Sequence, residues 1–253
     1  MQGNAKIPPR RIISVVPSQT ELLFELGLEA EIVGITKFCV HPAEKVKNKP
    51  KVGGTKTLHL AEIHRLKPDF ILANKEENTR EQIEELQRFY PVLVTDVNTV
   101  SDALAMIRDV GERVGKAQKG AALVKKIEES FYKNGAASAH TVAYFIWRKP
   151  YRVAARQTFI HSMLEMAGFQ NAFGNLTRYP EVTETDLQTA RPDLIFLSSE
   201  PYPFSEKHRH ELQEICPSAR VVLVDGELFS WYGSRLLKVA DYLKELKQKL
   251  GLQ

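Results

Sequence analysis

The chain reads as an α/β protein of two related lobes, each built on a parallel sheet and joined by a long helix, with a ligand cleft between them. Three observations carry this reading. The stretch Leu66-Lys67-Pro68-Asp69-Phe70-Ile71-Leu72-Ala73 returns as Ala190-Arg191-Pro192-Asp193-Leu194-Ile195-Phe196-Leu197, and each copy ends in a polar tip with a glutamate, Glu76 and Glu200. Gln19-Thr20, ahead of a segment that stops at Gly27, is echoed by Gln157-Thr158, ahead of one that stops at Gly168. Between the halves, residues 101–114 and 116–132 carry apolar stripes at helical spacing. Proline drives the residue before it out of the helical region. An unbroken apolar run of four then fits a strand covered on both faces, as in a parallel sheet.

Taken in order, Ile12-Ile13-Ser14-Val15-Val16 is the first strand, closed by Pro17-Ser18. Ser18 with Glu21 three residues on predicts a capping box. The helix that follows presents Leu22, Leu23 and Leu26. Residues 32–35 form a second strand, 44–51 a lysine-rich connector and 60–66 a helix. The first repeated strand, 70–73, leads to a helix over about 79–89 and a strand at 92–94. The helical stretch 101–132 reads as a semi-rigid strut, and 133–140 as a polar turn. In the second half a strand at 141–146 precedes a helix at about 158–167, the repeated strand 194–197, a last strand at 221–224 and an amphipathic helix at 235–249. The lobes are thus expected at residues 1–100 and 135–253, flanking a linking segment at 101–134.

At 253 residues, with 26% charged and 43% hydrophobic residues, the composition is that of an ordinary folded protein. A net charge of +4 is spread without a basic block, so nucleic acid is not an expected partner. Cys39 and Cys216 are too few for a disulfide framework and leave free thiols or a single bridge open. No run approaches the roughly 18 apolar residues of a membrane span. The first ten residues lack the apolar core of a secretory signal, which leaves the compartment open.

Polar and aromatic residues gather at strand ends, in residues 36–41, 53–56, 74–78, 147–151, 178–181, 199–204 and 227–235. Ligands of open α/β sheets bind beyond the carboxyl ends of the strands. Phe38, Trp147, Tyr151, Tyr179, Tyr202, Phe204, Trp231 and Tyr232 offer flat walls for a large planar ligand. Lys37, Lys56, Lys75, Arg148, Lys149, Arg178 and Arg235 stand beside Glu76, Glu181, Glu200 and Glu227. Two roles are open to them: internal pairing that shapes the loops, or recognition of carboxylate or phosphate on a ligand. His41, two residues from Cys39, invites a metal reading that needs Glu76, Glu77, Glu200 or His59 to complete it. His41 as an axial ligand to a cofactor metal is the sharper form of that idea. The sequence contains no Gly-x-Ser-x-Gly, no His-Glu-x-x-His and no Walker-type phosphate loop.

The ordered set Arg11-Ile12-Ile13-Ser14, Pro17-Ser18-x-Thr20-Glu21-Leu22-Leu23, Val33-Gly34-Ile35-Thr36, Lys51-Val52-Gly53-Gly54 and Leu66-Lys67-Pro68-Asp69 resembles the helical-backbone (class III) substrate-binding proteins of ABC importers. The likeness covers about residues 10–250 and is nearest the cobalamin-binding branch, with siderophore and haem binders as relatives. It implies two Rossmann-like α/β lobes joined by one long helix, no catalysis and no intrinsic cofactor. The implied ligand is a cobalamin-like metal chelate first, then haem or a ferric siderophore. The implied partner is an importer permease, the location the periplasm or cell envelope, and the state a monomer. The family's aromatic positions fall on Tyr151 and Tyr179, and its last cleft loop on Glu227 to Trp231.

Two departures stand out. The acid that docks each lobe on an importer maps onto Ala61 and Thr185, with Glu62, Glu184 and Asp186 adjacent. The loops 37–42 and 75–78 are also unlike those of a typical cobalamin binder. A cytoplasmic offshoot is therefore the second reading, an enzyme or cofactor-handling protein using Glu76, His41 or Glu200 as acid–base groups. Transport of a bare metal ion through His41 is the third.

Overall fold

The computed structural model describes residues 7–132 and 140–252 and divides the chain into two compact units. The first unit runs through β1 (Ile12–Ser14), α1 (Pro17–Glu25), β2 (Ile32–Ile35), α2 (Ala43–Val46), α3 (Leu60–Leu66), β3 (Phe70–Asn74), α4 (Arg80–Gln87) and β4 (Val92–Thr95). Its four strands lie in the order β2-β1-β3-β4, all parallel. Ile13, Ile71 and Ala73 of the sheet pack with Ile63, Leu66, Ile83 and Leu86 of α3 and α4. Phe70 to Asn74 are buried at every position, as a strand covered on both faces requires.

Two helices follow, α5 (Val100–Arg113) and α6 (Ala117–Tyr132). The chain turns between them at Gly115, whose φ of +70° is open to glycine without a Cβ clash. Lys116 N donates to Gly111 O at 2.7 Å to close that turn. A Cβ on Gly111 would lie 3.3 Å from the Gly120 Cα, so the two helices meet backbone to backbone. The expected strut is thus a pair of helices folded on each other. The chain passes from the first unit to the second within α6, at Glu128–Glu129. Apart from His140, the predicted polar turn lies outside the described residues.

The second unit contains β5 (Thr141–Trp147), β6 (Arg152–Val153), α7 (Phe159–Met166), β7 (Gln170–Asn171), α8 (Glu184–Ala190), β8 (Leu194–Ser198), α9 (Glu206–Ile215), β9 (Arg220–Val224), α10 (Gly226–Ser230) and α11 (Leu236–Leu250). The strand order is β6-β5-β8-β9, with β7 also on β5 and only β6 antiparallel. Its core joins Ala143, Phe145, Ile195 and Leu197 to Leu187 and Leu212. The units are not single stretches of chain. Asn98–Val100 belong to the second, and Tyr232–Arg235 return to the first.

The sequence repeat is a structural repeat. In each unit the Pro-Asp strand lies parallel to the unit's opening strand, β3 on β1 and β8 on β5. The basic residue before each proline ends its helix in the left-handed region, Lys67 at φ +46° and Arg191 at φ +44°. The aspartates then clasp the start of the neighbouring strand. Asp69 accepts from Arg10 N and Arg11 N, both at 2.9 Å, and Asp193 accepts from Thr141 N at 2.7 Å and Thr141 Oγ1 at 2.8 Å.

Local expectations change at five elements. The N-cap of α1 is Val16, with Pro17 opening the helix, so the Ser18–Glu21 capping box does not form. Glu21 has another partner, described below. Helix α9 and the short strands β6 and β7 carry too weak a pattern to be read from sequence. Residues 226–230, read as loop, make the single turn of α10.

Candidate functional site

In a parallel sheet every strand ends on the same edge, so the loops after the strands of each unit gather at one end. In the first unit that edge is bound together by two asparagines. Asn74 Oδ1 accepts from Glu76 N (2.9 Å) and Glu77 N (3.1 Å). Asn78 accepts from Asn74 N at 2.8 Å and donates to Val15 O (3.1 Å) and Thr55 O (3.0 Å). Asn78 is buried and so ties three strand-end loops to one side chain. Lys56 Nζ donates to Glu76 O, and Lys75 pairs with Asp96 at 2.7 Å on the surface.

The loop after β2 presents Phe38 to solvent at 50% exposure, above Gly54 and with the Lys37 ammonium 5.1 Å from its ring centre. Beneath it the Cys39 thiol is buried against Thr20 Oγ1 (3.1 Å) and Thr36 Oγ1 (3.2 Å), and burial pushes its pKa up. His41 is partly buried and precedes a cis proline, Pro42. Cys39 and Cys216 are both free, so the single-bridge option falls away. Among the described residues no three His, Cys, Asp or Glu side chains group as metal ligands, and the protein-only metal site at His41 lacks its co-ligands.

In the second unit Trp147 stands at the end of β5 with 41% exposure. It meets Tyr202 edge to face at 5.6 Å, and Tyr202 in turn packs on Phe204 at 4.8 Å. Ser205 N donates to His208 Nδ1 (3.0 Å), so His208 Nε2 carries the proton that faces the Tyr202 hydroxyl at 3.2 Å. Arg148 forks onto Glu211 of α9 at 3.0 and 2.6 Å, and the Tyr151 hydroxyl reaches the same carboxylate. The hydrogen bond from Arg148 holds the Glu211 carboxyl below the usual range. Arg178 lies over the Tyr179 ring at 5.4 Å. Glu200 Oε1 accepts from Ser230 Oγ (2.6 Å) and Trp231 Nε1 (2.9 Å), and burial pushes the Glu200 pKa up. Glu227 sits half-buried in the first turn of α10.

Tyr232 and Arg235 lie in the returning segment of the first unit and are buried. Arg235 forks onto Glu21 of α1 at 2.9 and 3.0 Å. Arg235, Arg148 and Lys75 are therefore internally paired. Phe38 and Trp147 are the two predicted aromatics that remain exposed. Sequence reasoning missed Glu211, because α9 was not visible, and missed Asn78 as the knot of the first edge, because an Asn in a loop carries no distinguishing pattern.

Against this geometry, the chain matches the periplasmic binding protein family over residues 12–218. It belongs to that family. The fold class and the resemblance read from sequence both hold. Among curated relatives, it is 28% identical to the uncharacterised ABC transporter substrate-binding lipoprotein YvrC of Bacillus subtilis, over 95% of this chain and 80% of that protein. It is 24% identical to the vitamin B12-binding protein of Pectobacterium atrosepticum, over 94% of this chain and 90% of that one. The periplasmic heme-binding protein RhuT of Roseiflexus sp. RS-1 superposes with a TM-score of 0.82 at 20% identity, over 94% of this chain and 98% of that one. The last likeness shows the fold alone. Members of the family are binding proteins, and the enzyme reading of Glu76, His41 and Glu200 gains no support from them. No helix of the described residues is long and apolar enough to cross a membrane.

Proposed function

We propose that this chain is the solute-binding component of an ABC-type importer and captures a metal-bearing cofactor or chelate on its strand-end loops. Cobalamin comes first, because a vitamin B12-binding protein is among the relatives matched over nearly the whole chain; haem and ferric siderophores follow. The observation that carries the reading is the pair of exposed aromatic faces, Phe38 in one unit and Trp147 in the other. Each stands on a strand-end edge held by its own hydrogen bonds. A flat apolar ligand gains from such faces by burying area, and a preformed edge keeps the ordering cost low. His41, Lys56, Glu76, Tyr151, Tyr179, Tyr202, Glu227, Trp231 and Tyr232 remain proposed members of the site.

The importer permease is the proposed partner and the cell envelope the proposed location. At the two docking positions, Ala61 and Thr185 are exposed, while the adjacent Glu62 is held by Arg65 and Asp186 by the Thr183 capping box. Glu184 is exposed beside them.

The test is a titration of the purified chain with cyanocobalamin, haem and a ferric siderophore, followed by visible absorption and thermal shift. A ligand specific for the folded state raises the melting temperature. Saturable binding of one of them at a single site, weakened at least tenfold by Phe38→Ala or Trp147→Ala, supports the reading. Failure of all three to bind overturns it.

A further inference from the structure

His208 lies at the inner end of a chain of rings that ends on the exposed Trp147. The ring pairs run Trp147–Tyr202 at 5.6 Å, Tyr202–Phe204 at 4.8 Å, Tyr202–His208 at 5.4 Å and Phe204–His208 at 5.5 Å between centres. His208 itself is buried, in the first turn of α9. We propose that His208 is a proton switch: gaining a proton breaks its hold on the loop before α9 and loosens Tyr202 and Trp147 above it.

Both ring nitrogens are already committed. Nδ1 accepts from Ser205 N at 3.0 Å, and the Nε2 proton faces the Tyr202 hydroxyl at 3.2 Å. A neutral imidazole offers one donor and one acceptor, whereas an imidazolium offers two donors. Protonation therefore sets N–H against N–H at Ser205. The Ser205 hydroxyl, 3.1 Å from Nδ1, can rotate to accept. The backbone N–H is fixed by the chain and loses its acceptor, which is costly away from water.

The charges around the ring act the same way. Lys207 of α9 and Arg148 from the loop after β5 oppose a charge on the imidazole, and Glu211 of α9 favours it. Glu211 is already forked by Arg148 and reached by the Tyr151 hydroxyl. Burial first, then the two cations, pushes the His208 pKa below the ordinary 6.5 against the pull of Glu211. The fold thus favours the neutral ring. Stability from this contact is fully present above about 6.5 and is lost as pH falls through the depressed value. Glu211, held below the usual carboxylate range by Arg148, keeps its charge there. A link to ligand capture rests on the function proposed above; the loosening of the loop does not. With Trp147 as a wall of the site, acid lowers affinity by at most about tenfold per pH unit, the limit for one proton.

The experiment uses the full chain in a Trp231→Phe background, which leaves Trp147 as the single tryptophan. Acrylamide quenching of Trp147 is followed from about pH 8 to about pH 5, with and without His208→Asn. The asparagine oxygen can accept from Ser205 N, and the side chain does not titrate. A one-proton rise in quenching with a midpoint below 6.5, absent in His208→Asn, supports the switch. Quenching that changes alike in both chains, or in neither, overturns it. Should His208→Asn not fold, the imidazole NMR signals of the parent chain decide. One of the seven histidines must titrate together with the quenching change, and none doing so overturns the proposal. A separate arm compares cyanocobalamin affinity of wild type and His208→Asn at the two ends of that range. Weaker binding in acid by the wild type alone joins the switch to ligand capture. A loosened loop with binding unmoved by pH keeps the switch and overturns that link. A loosened loop with no cyanocobalamin bound at either pH keeps the switch and counts against the cobalamin reading.

Discussion

Asp69 and Asp193 occupy the same point of the two repeats and do the same work, each accepting backbone N–H groups at the start of the neighbouring strand. Asp193→Ala leaves the Thr141 N–H and hydroxyl without their acceptor and is expected to cost about 1–2 kcal/mol in denaturant unfolding. The hydrogen bonds from Thr141 also hold the Asp193 carboxyl below its usual range. Its contribution is therefore present above the ordinary aspartate value and lost as pH falls through the depressed one. Asp193→Asn should flatten that acid limb of a stability-versus-pH curve. Glu21 and Arg235 are a different case, a forked pair with side chains only 11% and 7% exposed. Glu21→Gln removes the carboxylate charge from its fork with a buried guanidinium and should cost about 3–5 kcal/mol, while Glu21→Leu with Arg235→Met should cost far less. Both are read from urea midpoints. The sequence showed the repeated Asp but not its clasp, since a Pro-Asp pair says where a strand begins and nothing of what its carboxylate binds. It assigned Glu21 to a capping box, because a partner 214 positions away leaves no local trace.

At the scale of elements, periodicity located the strands and helices that bury a continuous stripe, such as Phe70–Asn74, Leu60–Leu66 and Leu236–Leu250. It missed α9, whose only buried residues are His208 and Leu212, and β6 and β7, which are two residues each. Short or mostly solvated elements owe their form to tertiary contacts and have no pattern of their own. The helix pair α5–α6 shows the same limit. Its two stripes were legible, but the fold at Gly115 was not, because one glycine between helical runs reads equally as a tolerated interruption. A side chain at the close approach should be felt: Gly111→Leu is expected to lose roughly 1–3 kcal/mol through forced separation of the helices. Unfolding monitored by far-ultraviolet circular dichroism checks it.

For the molecule as a whole, acid and base act on the second unit in opposite senses through two carboxylates. The Glu200 carboxyl is pushed above its ordinary value by burial, so the folded chain keeps its proton where the unfolded chain has released it. Stability from this group is fully present below about 4.5, the ordinary glutamate value, and declines as pH rises through the elevated one. Glu200→Gln should remove that decline, seen as a melting temperature that changes less between pH 5 and 8 than in the wild type. The fluorescence of Trp231, whose indole donates to Glu200, reports the same titration. How much of the candidate site was legible follows from where its parts come from. Phe38 and Trp147 were among the eight strand-end aromatics named in advance, for each of which packing under a loop was the alternative, and Phe204, Trp231 and Tyr232 are buried. The link from Tyr202 to His208 was not named, because α9 carries too weak a pattern to be read from sequence.

The passage of Tyr232–Arg235 back into the first unit sets an order in time. Glu21 leaves the ribosome early, and its buried partner is made 214 positions later. At roughly 5–20 residues per second, that interval is about 10–40 s. During it the sheet of the first unit can pair before the Glu21–Arg235 fork can form. The amino-terminal unit is thus begun first and finished nearly last. A chain released anywhere before Arg235 lacks the fork that this guanidinium makes with Glu21.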